Sequence, residues 1–526
     1  MEAAMLPAMH QFDAALRIVG KLRAAGFEAY LAGGCVRDLL LGREPMDYDV
    51  ATSATPDVVL RLFPRTFAVG AHFGVVLVAT CGGANAACVA EAGLALPQGA
   101  FPGATNSERA NSEQLAPPQV VTEVATFRSD GAYSDGRHPD AVCYTSSAEE
   151  DVRRRDFTIN GLLLDVERLF PQGLKPRSVA AFSARLKSCP DTKQLFGAKD
   201  FQDADRLQNN LRAAVIDHVG GLADLEAGVI RAIGRPELRF EEDHLRMLRG
   251  VRFAARFDFE LEAATAAAMR QLAAKTRSVS RERVRDELTK MLTEGHARRA
   301  FELLDATGLL TEALPEVERM KGVEQPPQFH PEGDVWTHTL LLLGQLEAGC
   351  PLTLAWGALL HDVGKPATFR RAERIRFDGH VEVGVAMGAE ICRRFRFSND
   401  ETRQILSLIE NHMRFADAPR MKASTLKRFF RLEKFPEHLA LHRMDCLAAA
   451  GDLGNWRFVR ERYESTPEEA VRPTPLVTGR ELIAAGYKPG AGFKEMLRAV
   501  EDAQLEGLIT TAEEALKLVQ ARFPTL

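Results

Sequence analysis

Gly33-Gly34-Cys35-Val36-Arg37-Asp38, followed shortly by Asp47-Tyr48-Asp49, decides how this chain is read. The glycine pair follows an apolar run, residues 27–32, that reads as a strand. It opens a stretch, residues 36–41, that reads as a helix. Without a Cβ atom, glycine lets backbone N–H groups come close to an anion, and a helix start adds partial positive charge. Alone, such a pair is an ordinary turn. Asp47 and Asp49 change that reading. If residues 47–52 form a strand, positions i and i+2 share a face and the two carboxylates converge. Like charges held that close are costly unless a cation lies between them. Oxygen donors with room for phosphate suit Mg²⁺. In a two-metal arrangement, such a pair helps activate a hydroxyl and stabilise a leaving pyrophosphate.

Outward from this core, Phe12, Leu16, Val19 and Leu22 recur at helical spacing, and Gly26 stops that helix. Residues 74–79 and 120–127 read as further strands, so the first part mixes helices with short strands. Residues 82–118 are rich in Ala, Gly, Asn, Ser and Pro and read as an inserted surface loop. Residues 171–210 form a second irregular stretch. From Asp224 onward the pattern is mostly helical. Pro326, Pro327 and Pro331 mark a linker before a helical unit that starts near Asp334, and Pro473 and Pro475 mark a later break. The expected division is a head over 1–165 (insertion about 82–118) and an inserted segment over 166–215. A helical neck over 216–325, a helical domain over 326–470 and a C-terminal helical segment over 471–526 follow.

The bulk numbers fit this plan. At 526 residues the chain exceeds one ordinary core. It is 46% hydrophobic and 26% charged, as globular proteins are. A formal net charge of −5 gives no global basic field, so any nucleic-acid contact must come from a local arginine stripe. Eight scattered cysteines form no close CxxC pair, which argues against a zinc site of that kind and for reduced thiols. No apolar run is long enough to span a bilayer, and the start lacks a signal-peptide pattern, so a cytoplasmic protein is expected.

The glycine-aspartate constellation resembles the signature of the polymerase-beta-like nucleotidyltransferases. More narrowly, it is similar to that of the class II CCA-adding enzymes and bacterial poly(A) polymerases. The resemblance implies that Asp47 and Asp49 hold catalytic Mg²⁺, with Glu123, in the strand over 120–127, as the candidate third carboxylate. Arg153-Arg154-Arg155-Asp156-Phe157-Thr158-Ile159-Asn160 matches the RRDFTIN element of the same family. By that match Arg154, Arg155, Asp156 and Asn160 touch the ribose and phosphates of the incoming nucleotide, joining Gly33, Gly34 and Arg37. Glu242, Asp243 and Arg246 match its EDxxR element. Taken alone, Asp243 and Arg246, expected on one helix face, are a surface ion pair of little worth. In the family's setting they read the base. A carboxylate accepts from the exocyclic amine of cytosine or adenine, and a guanidinium donates to the ring nitrogen. Guanine and uracil present the wrong pattern, and a site built for those bonds would leave charges unpaired against them.

Farther along, His338, His361-Asp362, His380, His412 and Asp445 form a histidine-aspartate series. Imidazole and carboxylate ligands suit a transition metal or a mixed metal pair. Leu359-Leu360-His361-Asp362-Val363-Gly364-Lys365-Pro366 resembles an HD-domain phosphohydrolase motif. His338, His361, Asp362 and Asp445 follow its H…HD…D order, while His380 and His412 match the extra ligands of two-metal members. The alternative is a degenerate domain kept as a tRNA-binding scaffold.

The expected fold is therefore α+β: a nucleotidyltransferase head with a small mixed sheet, then an all-α neck and a helical HD domain. The expected activity is template-independent addition or repair of the 3′-terminal CCA of tRNA from CTP and ATP, releasing pyrophosphate. The expected partners are tRNA, CTP and ATP, with no membrane. Poly(A) addition, or addition of only A or only CC, shares the same motifs. A rival of another class is a metal-dependent phosphohydrolase whose head merely positions RNA.

Overall fold

The computed structural model describes residues 9–67, 74–81, 119–130, 142–169 and 208–524. Most of the two irregular stretches lies outside these residues. The described chain falls into two compact units. One comprises 1–246 with 260–265, the other 247–259 with 266–526.

The first unit is built on a mixed sheet. Helix α1 (Met9–Ala24) buries Phe12, Leu16, Val19 and Leu22, the stripe its spacing predicts, and packs on the sheet. Strand β1 (Ala29–Ala32) leads through Gly33 into α2 (Gly34–Leu40). Strand β2 (Asp49–Thr52) pairs antiparallel with β1, placing Asp49 opposite Ala32. After α3 (Pro56–Leu62) come β3 (Thr66–Phe67), β4 (Val75–Cys81) and β5 (Gln119–Thr126). β5 runs parallel to β2, with Val50 opposite Val124, and antiparallel to β4. The strands Leu162–Leu164 and Val215–Asp217 complete a seven-stranded sheet in the order β3-β4-β5-β2-β1, then Leu162–Leu164, then Val215–Asp217.

The strand expected over 47–52 begins only at Asp49. Pro45 precedes it, and Asp47 and Tyr48 approach in irregular backbone while Tyr48 is buried against Phe12. The shared-face argument for the two aspartates therefore does not apply as a strand rule. The parallel register supplies a different partner. Continuing the Val50–Val124 pairing by one residue puts Asp49 beside Glu123 on the same face.

The second unit is helical apart from one hairpin, Arg370–Arg371 with Ile375–Arg376. Five helices carry or frame the histidine series: Val335–Leu343, Leu352–Leu360, His380–Arg394, Asn399–Asn411 and Phe435–Ala448. Asp334 starts the first of them by accepting from the Thr337 N–H at 2.8 Å. Gly364 sets the approach of two elements, since a Cβ there would lie 2.1 Å from the His380 carbonyl oxygen. Only glycine lets the turn after Asp362 come this near. Beyond, Phe415, Phe429, Phe430, Phe435 and Val459 form an aromatic core, and Val477, Leu482, Tyr487 and Val500 anchor the C-terminal helices. No helix among the described residues is long and apolar enough to cross a membrane.

Candidate active site and metal centre

In the first unit a cleft of about 260 Å³ opens over β2 and β5, lined by Asp49, Glu123, Thr126, Arg128, Arg154 and Arg155 among others. The lining combines carboxylates with guanidinium groups. Burial, then the charges of Asp47 and Glu123, push the Asp49 carboxyl up to about 7, with Arg155 opposing them. The Glu123 side chain still meets solvent. Even so, the cleft walls strip part of its water and, with Asp47, push its pKa up. Three carboxylates thus repel one another across one space, which is the electrostatic mark of a cation site. Their donors are all oxygen and suit a hard divalent cation. As a trio they do not bring ligand atoms within 4.8 Å of one another.

The arginines are held by a residue that the motif reading passed over. Asp151 is 1% exposed and receives Arg154 Nη2 at 2.6 Å and Arg155 Nη2 at 3.0 Å. Burial alone would push its carboxyl up, but Arg155 and Arg154 outweigh that and hold it below the usual carboxylate range. The signal was present: Asp151 stands three and four positions before the two arginines, one helical turn. Gly33 makes room for Arg155. Its φ is +74°, and a Cβ there would meet Arg155 Nη1 at 3.0 Å.

Three other expected nucleotide ligands sit deeper. Arg37, Asp156 and Asn160 are all buried. Arg37 Nη1 donates to Asn160 Oδ1 at 2.5 Å and Arg37 Nη2 pairs with Asp38 at 2.8 Å, while Asn160 Nδ2 donates to Asp156 Oδ1 at 3.0 Å. In this structure they brace one another behind the cleft.

The base-reading element departs from the expected single helix. One helix, Pro236–Glu242, ends before Asp243, and the next, Leu245–Phe257, starts after it. Asp243 caps the second helix by accepting from the Leu245 N–H at 3.1 Å. It therefore does not share a helix face with Arg246. Arg246 pairs instead with Glu242, at 2.5 Å, and its Nη2 donates to the Arg154 carbonyl at 3.1 Å.

In the second unit the six expected ligands come together. His338, His361 and Asp445 bring ligand atoms within 4.8 Å of one another, and so do Asp362, His380 and His412. Three of the rings are aimed by main chain. His361 Nδ1 lies 2.9 Å from the Ala358 carbonyl, His380 Nδ1 2.9 Å from that of Phe377, and His412 Nδ1 2.7 Å from that of Ile409. A carbonyl only accepts, so Nδ1 carries a proton and Nε2 is the nitrogen turned to the cluster, able to offer a lone pair once it is deprotonated. The buried Nε2 atoms of His380 and His412, and Asp362 Oδ1, have no hydrogen-bond partner, while His361 Nε2 lies 3.1 Å from Asp362 Oδ2. Buried polar atoms left this way fit a metal cage.

Charge supports the same reading. Burial opposes ionisation of Asp362, but His361 and Lys365 outweigh it and hold the carboxyl well below its ordinary range. Burial pushes His412 down to about 4. Lys365, Gln325 and Glu332 also belong to this neighbourhood and were not singled out from the sequence. Lys365 Nζ lies 2.7 Å from Asp362 Oδ2 and donates to Gln325 Oε1 at 2.7 Å. Lys365 stands three positions after Asp362, one helical turn, and could have been flagged, whereas Glu332 lies in the proline linker outside any periodicity.

Comparison with known proteins agrees with this anatomy. The chain matches the Poly A polymerase head domain over residues 29–86 and 102–171. It matches the probable RNA and SrmB-binding site of polymerase A over 258–321, and the HD domain over 335–450. A CCA-adding enzyme of Lactobacillus johnsonii is 31% identical across 96% of both chains. An A-adding tRNA nucleotidyltransferase of Deinococcus radiodurans is 32% identical over 72% of this chain and 81% of its own. The crystal structure of the Bacillus stearothermophilus CCA-adding enzyme in complex with CTP superposes with a TM-score of 0.62, at 25% identity over 98% of both chains. With its poly(A) polymerase head, RNA-binding segment and HD domain, this chain belongs to the CCA-adding enzyme family of tRNA nucleotidyltransferases.

Proposed function

We propose that this protein adds or repairs the 3′-terminal CCA of tRNA in the cytoplasm, using CTP and ATP and no nucleic-acid template. The observation that carries the reading is the cleft in which Asp49 and Glu123 face Arg154 and Arg155. Asp47 and Asp49, with Glu123 beside them, are placed to hold Mg²⁺, which when bound activates the 3′-hydroxyl and neutralises charge on the leaving pyrophosphate. Arg154 and Arg155 clamp the triphosphate, their forks set by Asp151. Asp243 and Arg246 select cytosine or adenine, and Glu242 fixes the Arg246 guanidinium. Gly33 keeps space for Arg155, and Arg37, Asp156 and Asn160 brace the clamp from behind. No separate general base is required.

We read residues 1–165 as the head, 216–325 as the neck, 326–470 as the HD domain and 471–526 as the C-terminal segment. The HD cluster serves as an accessory phosphohydrolase centre, holding a divalent transition metal or Mg²⁺ on His338, His361, Asp362, His380, His412 and Asp445. Addition of the terminal A alone, the activity named for the Deinococcus relative, is the rival reading, and the CCA-adding relatives that span nearly the whole chain do not favour it. Incorporation of labelled CTP and ATP into tRNA lacking CCA, CA or A separates the two. Full addition requires CTP uptake on the shortest substrate, and uptake of ATP alone on tRNA ending in CC overturns it.

A further inference from the structure

The two halves of the HD cluster carry matched donor sets, two imidazoles and one carboxylate each. What differs is the group behind the rings. His361, His380 and His412 are each backed by a main-chain carbonyl three residues earlier. His338 is not. Its Nδ1 lies 2.7 Å from Glu332 Oε1, and the same oxygen receives His330 Nδ1 at 2.9 Å. The Glu332 side chain is 6% exposed, and its second oxygen is buried with no hydrogen-bond partner. His330 and His338, both on this carboxylate, meet edge to face at 5.0 Å. On the other side of the ring, His338 Nε2 lies 3.0 Å from Asp445 Oδ1.

A carboxylate is a stronger acceptor than a carbonyl. It pulls harder on the Nδ1 proton and makes the opposite nitrogen a better ligand. The other half bears a handicap, because the Lys365 ammonium lies 2.7 Å from Asp362 Oδ2 and competes there with any cation.

Building on the reading of this cluster as a metal site, we infer that Glu332 is the positioning carboxylate of a carboxylate–histidine–metal triad. Through it, the His338/His361/Asp445 half takes up a divalent cation before the Asp362/His380/His412 half. Glu332 touches neither the cation nor the substrate. It acts through His338, and His330 keeps it in place.

The test is titration of the full chain with Co²⁺. Visible absorption follows the imidazole-bound ion, and equilibrium dialysis gives the stoichiometry. The wild-type protein should show a tighter and a weaker imidazole-bound step. Glu332→Ala should weaken the tighter step about 10- to 100-fold and leave the weaker step within about twofold. Glu332→Gln, whose amide oxygen still accepts from Nδ1–H, should fall between them. His380→Ala should remove the weaker step alone. Unchanged titration of Glu332→Ala overturns the inference. So does equal weakening of both steps with a lowered thermal transition, because that marks a merely structural residue. A third Co²⁺ in the wild type that vanishes in Glu332→Ala also overturns it, since the Nδ1 atoms would then be ligands themselves. Absence of any imidazole-bound Co²⁺ in the wild type is a separate result, and it fells the metal reading together with this inference.

Discussion

Arg246 donates from Nη2 to the backbone carbonyl of Arg154 at 3.1 Å, joining elements 92 positions apart in sequence. The guanidinium proposed to read a base is thereby tied to the main chain of the proposed phosphate clamp. Glu242, at 2.5 Å, fixes the same guanidinium from the other side. Arg246→Lys keeps the charge but loses the fork. It should lower kcat/KM for both CTP and ATP by about 10- to 100-fold, the worth of one charge-assisted hydrogen bond. Misincorporation of UTP and GTP should rise. Steady-state incorporation with each nucleotide checks this, and unchanged selectivity would remove Arg246 from base reading.

The acidic side of the cleft gives a pH-dependent prediction. Asp49 titrates at about 7 in the metal-free protein, against an ordinary value of 3.8. A pKa raised on folding means that the folded state holds the proton more tightly. Its contribution favours folding at acid pH and is lost as pH rises through about 7. A cation must displace that proton, so apparent Mg²⁺ affinity should fall as pH drops below about 7, by up to about tenfold per unit. Added Mg²⁺ should raise Tm more at pH 8 than at pH 6. Calorimetry across this range decides, and a flat Mg²⁺ response would place the cation elsewhere.

Asp47→Ala and His361→Ala should separate the two chemistries. The first should lower nucleotide addition by about 10³-fold or more, the scale for a principal electrostatic group. The second should remove the tighter Co²⁺ step and leave nucleotide addition in place. If Asp47→Ala adds nucleotides normally while His361→Ala loses every activity, the protein is a phosphohydrolase whose head only positions RNA.

Asp151→Ala strips the buried anchor from two arginines. Breaking such a pair costs about 3 kcal/mol. Denaturant unfolding should show that loss, and KM for the triphosphate should rise because the clamp is no longer preset. Asp151→Asn should recover part of the stability and little of the KM.

His438 is buried, and neither ring nitrogen has a hydrogen-bond partner. Burial, with Arg414 adding to it, pushes its pKa down to about 4. With the folded value depressed, the unfolded chain binds the proton first, so stability is lost as pH falls from about 6.5 towards 4. His438→Leu should melt later than wild type, and the gap should widen between pH 7 and pH 5.

What the sequence made legible followed local rules. The stripe Phe12, Leu16, Val19, Leu22 needs only helical spacing, and it lies buried where that spacing put it. The histidine-aspartate cluster was findable because the motif is dense around His361-Asp362. The resemblance named Glu123, but the register that sets it beside Asp49 was not legible, since that parallel pairing joins strands separated in sequence by residues 82–118. Asp243 was placed on the wrong element because a capping aspartate and a first-turn aspartate look alike in a polar run. Asp151 and Glu332 were missed for a common reason: each serves another side chain, and such service leaves no spacing of its own unless the partner's position is known.

The backing of the HD histidines has a consequence for how the cluster can fail. Three of the rings are aimed by the peptide backbone, and no single codon change can delete a peptide oxygen. Their orientation is inherited from the main chain, from the helix end at His361 and His412 and from the turn before the helix at His380, and it survives drift in the surrounding side chains. The fourth ring depends on one replaceable carboxylate. Genetic fragility in this cage is therefore gathered at a single place, in the linker before the helix that carries His338.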